Sequence, residues 1–168
     1  GGDEGTAPFL GAMLLVTLSL AASGLFGIGY AIAQRSRGLW LTAGRDRAAL
    51  FGWCEGLLMR YVVHVALPFA MVGQILSLLL PARPSLPLSF MAAGSLAMML
   101  AMAWLGLATR RNGVWLDLVL GLPVMVSWFF GLAMPLITGA TEPRWGVLVL
   151  QFVLVLAVRL LAAWRWRV

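Results

Sequence analysis

Lysine is absent from this chain, although arginine occurs twelve times. Without lysine there is no P-loop amine, no Schiff-base nucleophile and no Ser–Lys dyad, so the chain is not itself a Walker-type ATPase. Any energy it uses comes from elsewhere. Cysteine and histidine occur once each, as Cys54 and His64. A single cysteine excludes an internal disulfide and any CxxC redox or metal motif. A single histidine near the end of a span lacks the companions that a metal or haem site needs, so it reads as a hydrogen-bonding group. Aspartate and glutamate together number six, and no GxSxG, HExxH, paired catalytic carboxylates or glycine-rich phosphate loop occurs. No catalytic residue, metal or cofactor is expected.

The chain is 62% hydrophobic and 11% charged, whereas soluble domains are about 45–50% apolar. That composition belongs to an integral membrane protein. The net charge of +6 comes from arginines dispersed between apolar runs, a pattern of membrane topology rather than of a phosphate-binding face. The partner it implies is membrane lipid, not nucleic acid.

Taking about 20 apolar residues per crossing, the sequence predicts an all-α polytopic bundle forming one transmembrane domain over residues 1–168. Five spans are expected at 8–33, 62–80, 88–109, 114–138 and 146–164, with an amphipathic elbow at 34–61. Arg35, Arg37, Arg45, Arg47, Arg60, Arg110, Arg111, Arg159, Arg165 and Arg167 fall to one side and only Arg83 and Arg144 to the other. The positive-inside rule then sets the N-terminus outside and the C-terminus in the cytoplasm. The setting expected is a bacterial cytoplasmic (inner) membrane.

Within the elbow, Leu50, Trp53, Cys54, Leu57, Leu58 and Tyr61 recur at helical spacing, with Glu55 facing away. Such a helix lies on a membrane surface, docks on a partner, or is a solvated connector. In the first span Ser19, Ser23, Gly27 and Ala31 form an i+4 ladder of small residues, a candidate surface for close helix packing within the chain or between copies. His64, Gln74, Asp117 and Gln151 are the candidate intramembrane polar groups. For Asp117 the alternative to a functional role is an ion pair with Arg110 or Arg111 across the adjacent turn. Met91, Met98, Met99 and Met102 read as adaptable packing. Pro123, Pro135, Gly131 and Gly139 make the fourth span the least regular, and Arg159, Trp164, Arg165, Trp166 and Arg167 close the last span as an interfacial anchor, with Arg159 reaching the headgroups.

The stretch Arg35-Ser36-Arg37-Gly38-Leu39-Trp40-Leu41, followed by Arg45-Asp46-Arg47-Ala48-Ala49-Leu50-Phe51, resembles permeases of ABC transporters of the drug and polysaccharide exporter type. In that family a charged-Gly-Leu stretch follows the second of six spans, and a short coupling helix there touches the ATPase subunit. The similarity of layout extends over nearly the whole chain, and five spans with the N-terminus outside are what remain of six when the first is missing. Arg37-Gly38 and Thr42-Ala43 stand where the family has a glutamate-rich stretch and Thr-Pro. The resemblance implies an ATPase partner at Arg35, Arg37, Arg45, Asp46 and Arg47, and pairing into a homo- or hetero-oligomer. The other reading of the sequence is a non-catalytic structural or assembly subunit of a larger membrane complex. As the only thiol, Cys54 is the expected reporter of topology: a membrane-impermeant maleimide should reach it from the arginine-rich side alone.

Overall fold

The computed structural model describes residues 6–42, 44–79, 86–109 and 114–168. Among the described residues it is an all-α bundle in which five helices are long and apolar enough to cross a membrane. Helix α1 (Thr6–Arg35) ends at a turn on Ser36 and is followed by the short α2 (Arg37–Thr42) and a 3₁₀ turn (Gly44–Asp46). Then come α3 (Arg47–Leu79), α4 (Leu88–Ala108), α5 (Val114–Trp128), a π-turn (Phe129–Ala133), α6 (Met134–Thr138) and α7 (Trp145–Arg167). The chain is an integral membrane protein.

The 34–61 elbow is shorter than expected. Helix α3 starts at Arg47 and runs unbroken through Pro68, 33 residues or roughly 50 Å at 1.5 Å per residue. The segment read as a separate amphipathic helix is therefore the first part of the second span. Proline removes one backbone hydrogen bond, a loss that membrane helices tolerate. The buried stripe is also rotated from the expected one: Phe51, Cys54, Leu58 and Val62 face the core, while Trp53 and Tyr61 face outward. Two overlapping apolar stripes occupy this segment, and contact with α1, α4 and α7 selects between them.

Helix α4 is the centre: 72% of its apolar window is buried inside the protein, against 11–39% for the other four spans. Met91, Met98 and Met99 are buried there as packing groups. Its closest neighbour is α1. A Cβ added at Gly29 would strike the Ala103 carbonyl oxygen and the Leu107 amide, and one added at Gly106 would strike the Phe26 carbonyl oxygen. The two backbones meet because neither crossing position carries a side chain, the geometry small residues permit in membranes. At one end of the bundle Trp166 meets Leu107; at the other, Phe90 stacks edge-on with Trp145, and Gly11 approaches Leu136. Helices α1, α4 and α7 therefore run toward the end that holds Arg35, Arg37, Arg165 and Arg167, and α3 and α5 run away from it.

The irregularity of the fourth span has a local cause. Pro135 has no N–H to offer the Gly131 carbonyl, and the ladder widens by one residue so that the Met134 N–H donates to the Phe129 carbonyl. Gly139, in the left-handed region at φ 69°, then ends α6.

Two expected outcomes follow. Cys54 is fully buried, so it cannot report topology as the sequence suggested. Gly38 is exposed, with open space where a Cβ would sit, and Gly38→Cys should react with an impermeant maleimide in inverted vesicles while the parent chain stays unlabelled. Labelling only from the opposite side would reverse the orientation deduced from the arginines. Separately, Gly29→Leu or Gly106→Leu should destabilise the bundle by about 1–3 kcal/mol or more through overpacking. Gly27→Leu, which adds its side chain to open space, should leave the thermal unfolding of the detergent-solubilised monomer unchanged.

Candidate functional site

At the arginine-rich end, the last carbonyls of α4 have no partners within their own helix. The cap residue Thr109 donates to two of them, Leu105 through Oγ1 and Gly106 through its N–H, and the end of α7 supplies the last two: Trp166 Nε1 donates to the Leu107 oxygen at 3.0 Å and Arg165 Nη1 to the Ala108 oxygen at 2.8 Å. Arg165 is a buried cation at a helix C-terminus, where the dipole favours positive charge. The α2 helix attaches to the same point. Trp40 Nε1 donates to the Trp166 carbonyl at 2.8 Å, and the Arg47 guanidinium lies 4.1 Å from the centre of the Trp40 ring and donates to the Val168 carbonyl. Phe51 packs edge-on against Trp166. Beneath α2, Ser36 Oγ donates to the Ile32 carbonyl at 2.7 Å and lies 3.3 Å from Cys54 Sγ, so the thiol is the donor in that contact.

This arrangement divides the expected docking residues. Arg35, Arg37 and Asp46 are exposed. Arg47 is half-buried and engaged inside the protein; the Arg45 side chain lies outside the described residues. Every residue of α2 other than the half-buried Trp40 is exposed, including Leu39 and Leu41 at 57% and 62%. The interfacial anchor on α7 is divided in the same way, since Trp164 and Arg167 face outward while Arg165 and Trp166 turn inward.

A second cluster lies about 12 Å along α3 and α7 from this end, eight residues from Arg47 and from Arg167. Glu55 accepts from Arg159 Nε at 2.6 Å and Nη2 at 3.1 Å and from Trp104 Nε1 at 3.0 Å. A lone charge within a membrane helix is costly, up to about 2.5–3.5 kcal/mol at the helix centre on insertion scales and less toward its ends. A two-pronged Arg–carboxylate pair with a third donor offsets much of that and ties α3, α4 and α7 together. Sequence reading missed this cluster: it turned Glu55 away from the core and sent Arg159 to the headgroups. The available signal was one carboxylate and one arginine, each placed two turns inside an apolar helix.

Of the remaining polar candidates, His64, Gln74 and Gln151 have described side chains, and these lie apart. His64 is exposed, and its Nδ1 lies 2.6 Å from the Arg60 carbonyl of its own helix. Gln74 is exposed on the outer half of α3. Asp117 belongs to α5, but its side chain lies outside the described residues, as do Arg110 and Arg111. Gln151 is buried and donates through Nε2 to the Ser127 carbonyl at 3.1 Å. The ladder of Ser19, Ser23, Gly27 and Ala31 lies on the exposed face of α1; α4 is met instead by a face that includes Gly29. Among the described residues no group of three or more His, Cys, Asp or Glu is placed to hold a metal. Comparison with protein-family models, curated proteins and solved structures returns no match to this chain.

Replacing Glu55 with Leu should destabilise the protein by about 1–3 kcal/mol, since it leaves Arg159 and Trp104 without their acceptor. Glu55→Leu combined with Arg159→Leu should cost less than the sum of the two single changes. Thermal unfolding of the four forms in one detergent measures the coupling, and strict additivity would show the pair to be energetically idle.

Proposed function

We propose that this chain is the permease subunit of an ATP-driven exporter in a bacterial cytoplasmic membrane, pairing with a second copy or a homologue. A separate ATPase docks at α2 from the cytoplasm and supplies the energy. The reading rests on the resemblance of the 35–51 stretch to ABC exporter permeases and, above all, on how α2 is mounted. It is exposed along nearly its whole length, so a partner can grip it. Through Trp40 it is bonded to the end of α7, which is bonded in turn to the end of α4. A push on α2 is thereby delivered to the central helix through contiguous hydrogen bonds rather than absorbed in a loose loop. Arg35 and Arg37 supply positive charge for an acidic surface on the partner.

The alternative is a structural or assembly subunit of a larger membrane complex, favoured by the dense burial of α4. Charge reversal separates the two. Arg35→Glu with Arg37→Glu alters exposed side chains only, and should weaken retention of a co-purifying ATPase about tenfold or more at unchanged membrane abundance. Reversal of Arg47 would instead disturb the mount. Trp40→Phe, which removes the indole N–H, should leave the ATPase bound but reduce its coupling to transport. If the Arg35/Arg37 double variant keeps both partner and activity, the structural-subunit reading replaces the permease.

A further inference from the structure

Between α4, α5 and α7 lies a small cavity lined by Ala97, Met98, Val124, Trp128, Gln151 and Val155, with about 10 Å³ of space for the centre of a water-sized molecule. Two polar atoms on its lining residues, Trp128 Nε1 and Gln151 Oε1, are buried and have no hydrogen-bond partner among the described residues. Gln151 is 95% buried, at 5% relative exposure. Its orientation is fixed by chemistry: the Ser127 carbonyl can only accept, so it takes the amide nitrogen and leaves the amide oxygen on the side of α4, 3.8 Å from where a Cβ on Gly94 would sit. The indole N–H can only donate. Two of the residues that line the cavity thus carry one unpartnered donor and one unpartnered acceptor, and none of its lining residues is charged.

We infer that this cavity is a binding site for a water molecule, which accepts from Trp128 Nε1 and donates to Gln151 Oε1. An ion does not fit the chemistry, because the lining has no charge to replace an ion's hydration shell. An apolar occupant would leave both polar groups unsatisfied, whereas water needs at least two polar partners and the space of about one probe sphere, and both are present. The immobilisation of one water costs less than two orphaned polar groups in a membrane interior. The site sits beside the π-turn: Ser127 immediately precedes Trp128, and a Cβ at Gly131 would come within 3.0 Å of Gln151 Nε2. The bound water thus links the irregular part of the fourth span to α7.

Water-edited solid-state NMR of the ¹⁵N-labelled full chain in lipid bilayers tests this, with the Trp128 indole signal assigned by its loss in Trp128→Phe. In the parent chain, magnetisation from water should reach the Trp128 N–H as early as it reaches exposed Trp145 and several-fold earlier than the buried backbone amides of α4. Gln151→Leu removes the acceptor, and Val155→Ile fills the space while leaving both polar groups in place. Each should slow transfer to Trp128 several-fold with Trp145 unchanged, and Val155→Ile preserves the test should Gln151→Leu fail to fold. Transfer to Trp128 in the parent no faster than to the buried amides, or fast transfer that survives Val155→Ile, overturns the inference.

Discussion

The contact between α1 and α4 at Gly29 and Gly106 is the constraint on which the rest of the molecule depends. Lipid tails are as apolar as leucine, so membrane helices gain little by burying apolar side chains against each other and associate where their backbones come close. Here each of two glycines faces the backbone of the partner helix at one crossing, Gly29 against Ala103 and Leu107 and Gly106 against Phe26. That approach draws α4 into the centre and leaves it the most buried of the five spans. It also sets the end of α4 beside the turn that follows α1, which is where α2 and the end of α7 converge.

A second consequence is the treatment of polar groups. In hydrocarbon an unsatisfied donor or acceptor has no water to turn to, and this bundle uses its polar side chains at helix junctions. Trp104 and Arg159 converge on Glu55; Arg165 and Trp166 complete the end of α4; Gln151 reaches the Ser127 carbonyl just before the irregular part of the fourth span. Each interaction joins different helices, so together they fix relative position as well as satisfying their own hydrogen bonds.

The arginines do two kinds of work that their sequence positions do not separate. Arg35, Arg37 and Arg167 face outward, whereas Arg47, Arg159 and Arg165 are tied to protein groups. Under the permease reading proposed above, an exposed α2 carrying the first kind and anchored through the second would be the energy-coupling element. A transmitted force needs both a surface to receive it and a stiff path to carry it.

The sequence by itself determined the membrane character and the five apolar crossings, because composition and span length are properties of the unfolded chain that the bilayer reads directly. It also pointed to an irregular fourth span, where Pro135 leaves the Gly131 carbonyl without its N–H; but Pro68 and Pro123 lack theirs too and sit inside unbroken helices, so the sequence did not say which proline would widen the ladder. What only the tertiary structure decided is which face each helix presents. The segment 50–62 carries two overlapping apolar stripes, and contact with α1, α4 and α7 chose the one that brings Glu55 inward. The first span offered a longer ladder of small residues at Ser19, Ser23, Gly27 and Ala31, yet the close crossing formed at Gly29, because a crossing needs a matching gap on the partner and Gly106 lies on α4, far away in sequence. Helical periodicity fixes the spacing of a face but not its rotation, and in a chain apolar on nearly all sides the rotation is set by the neighbours.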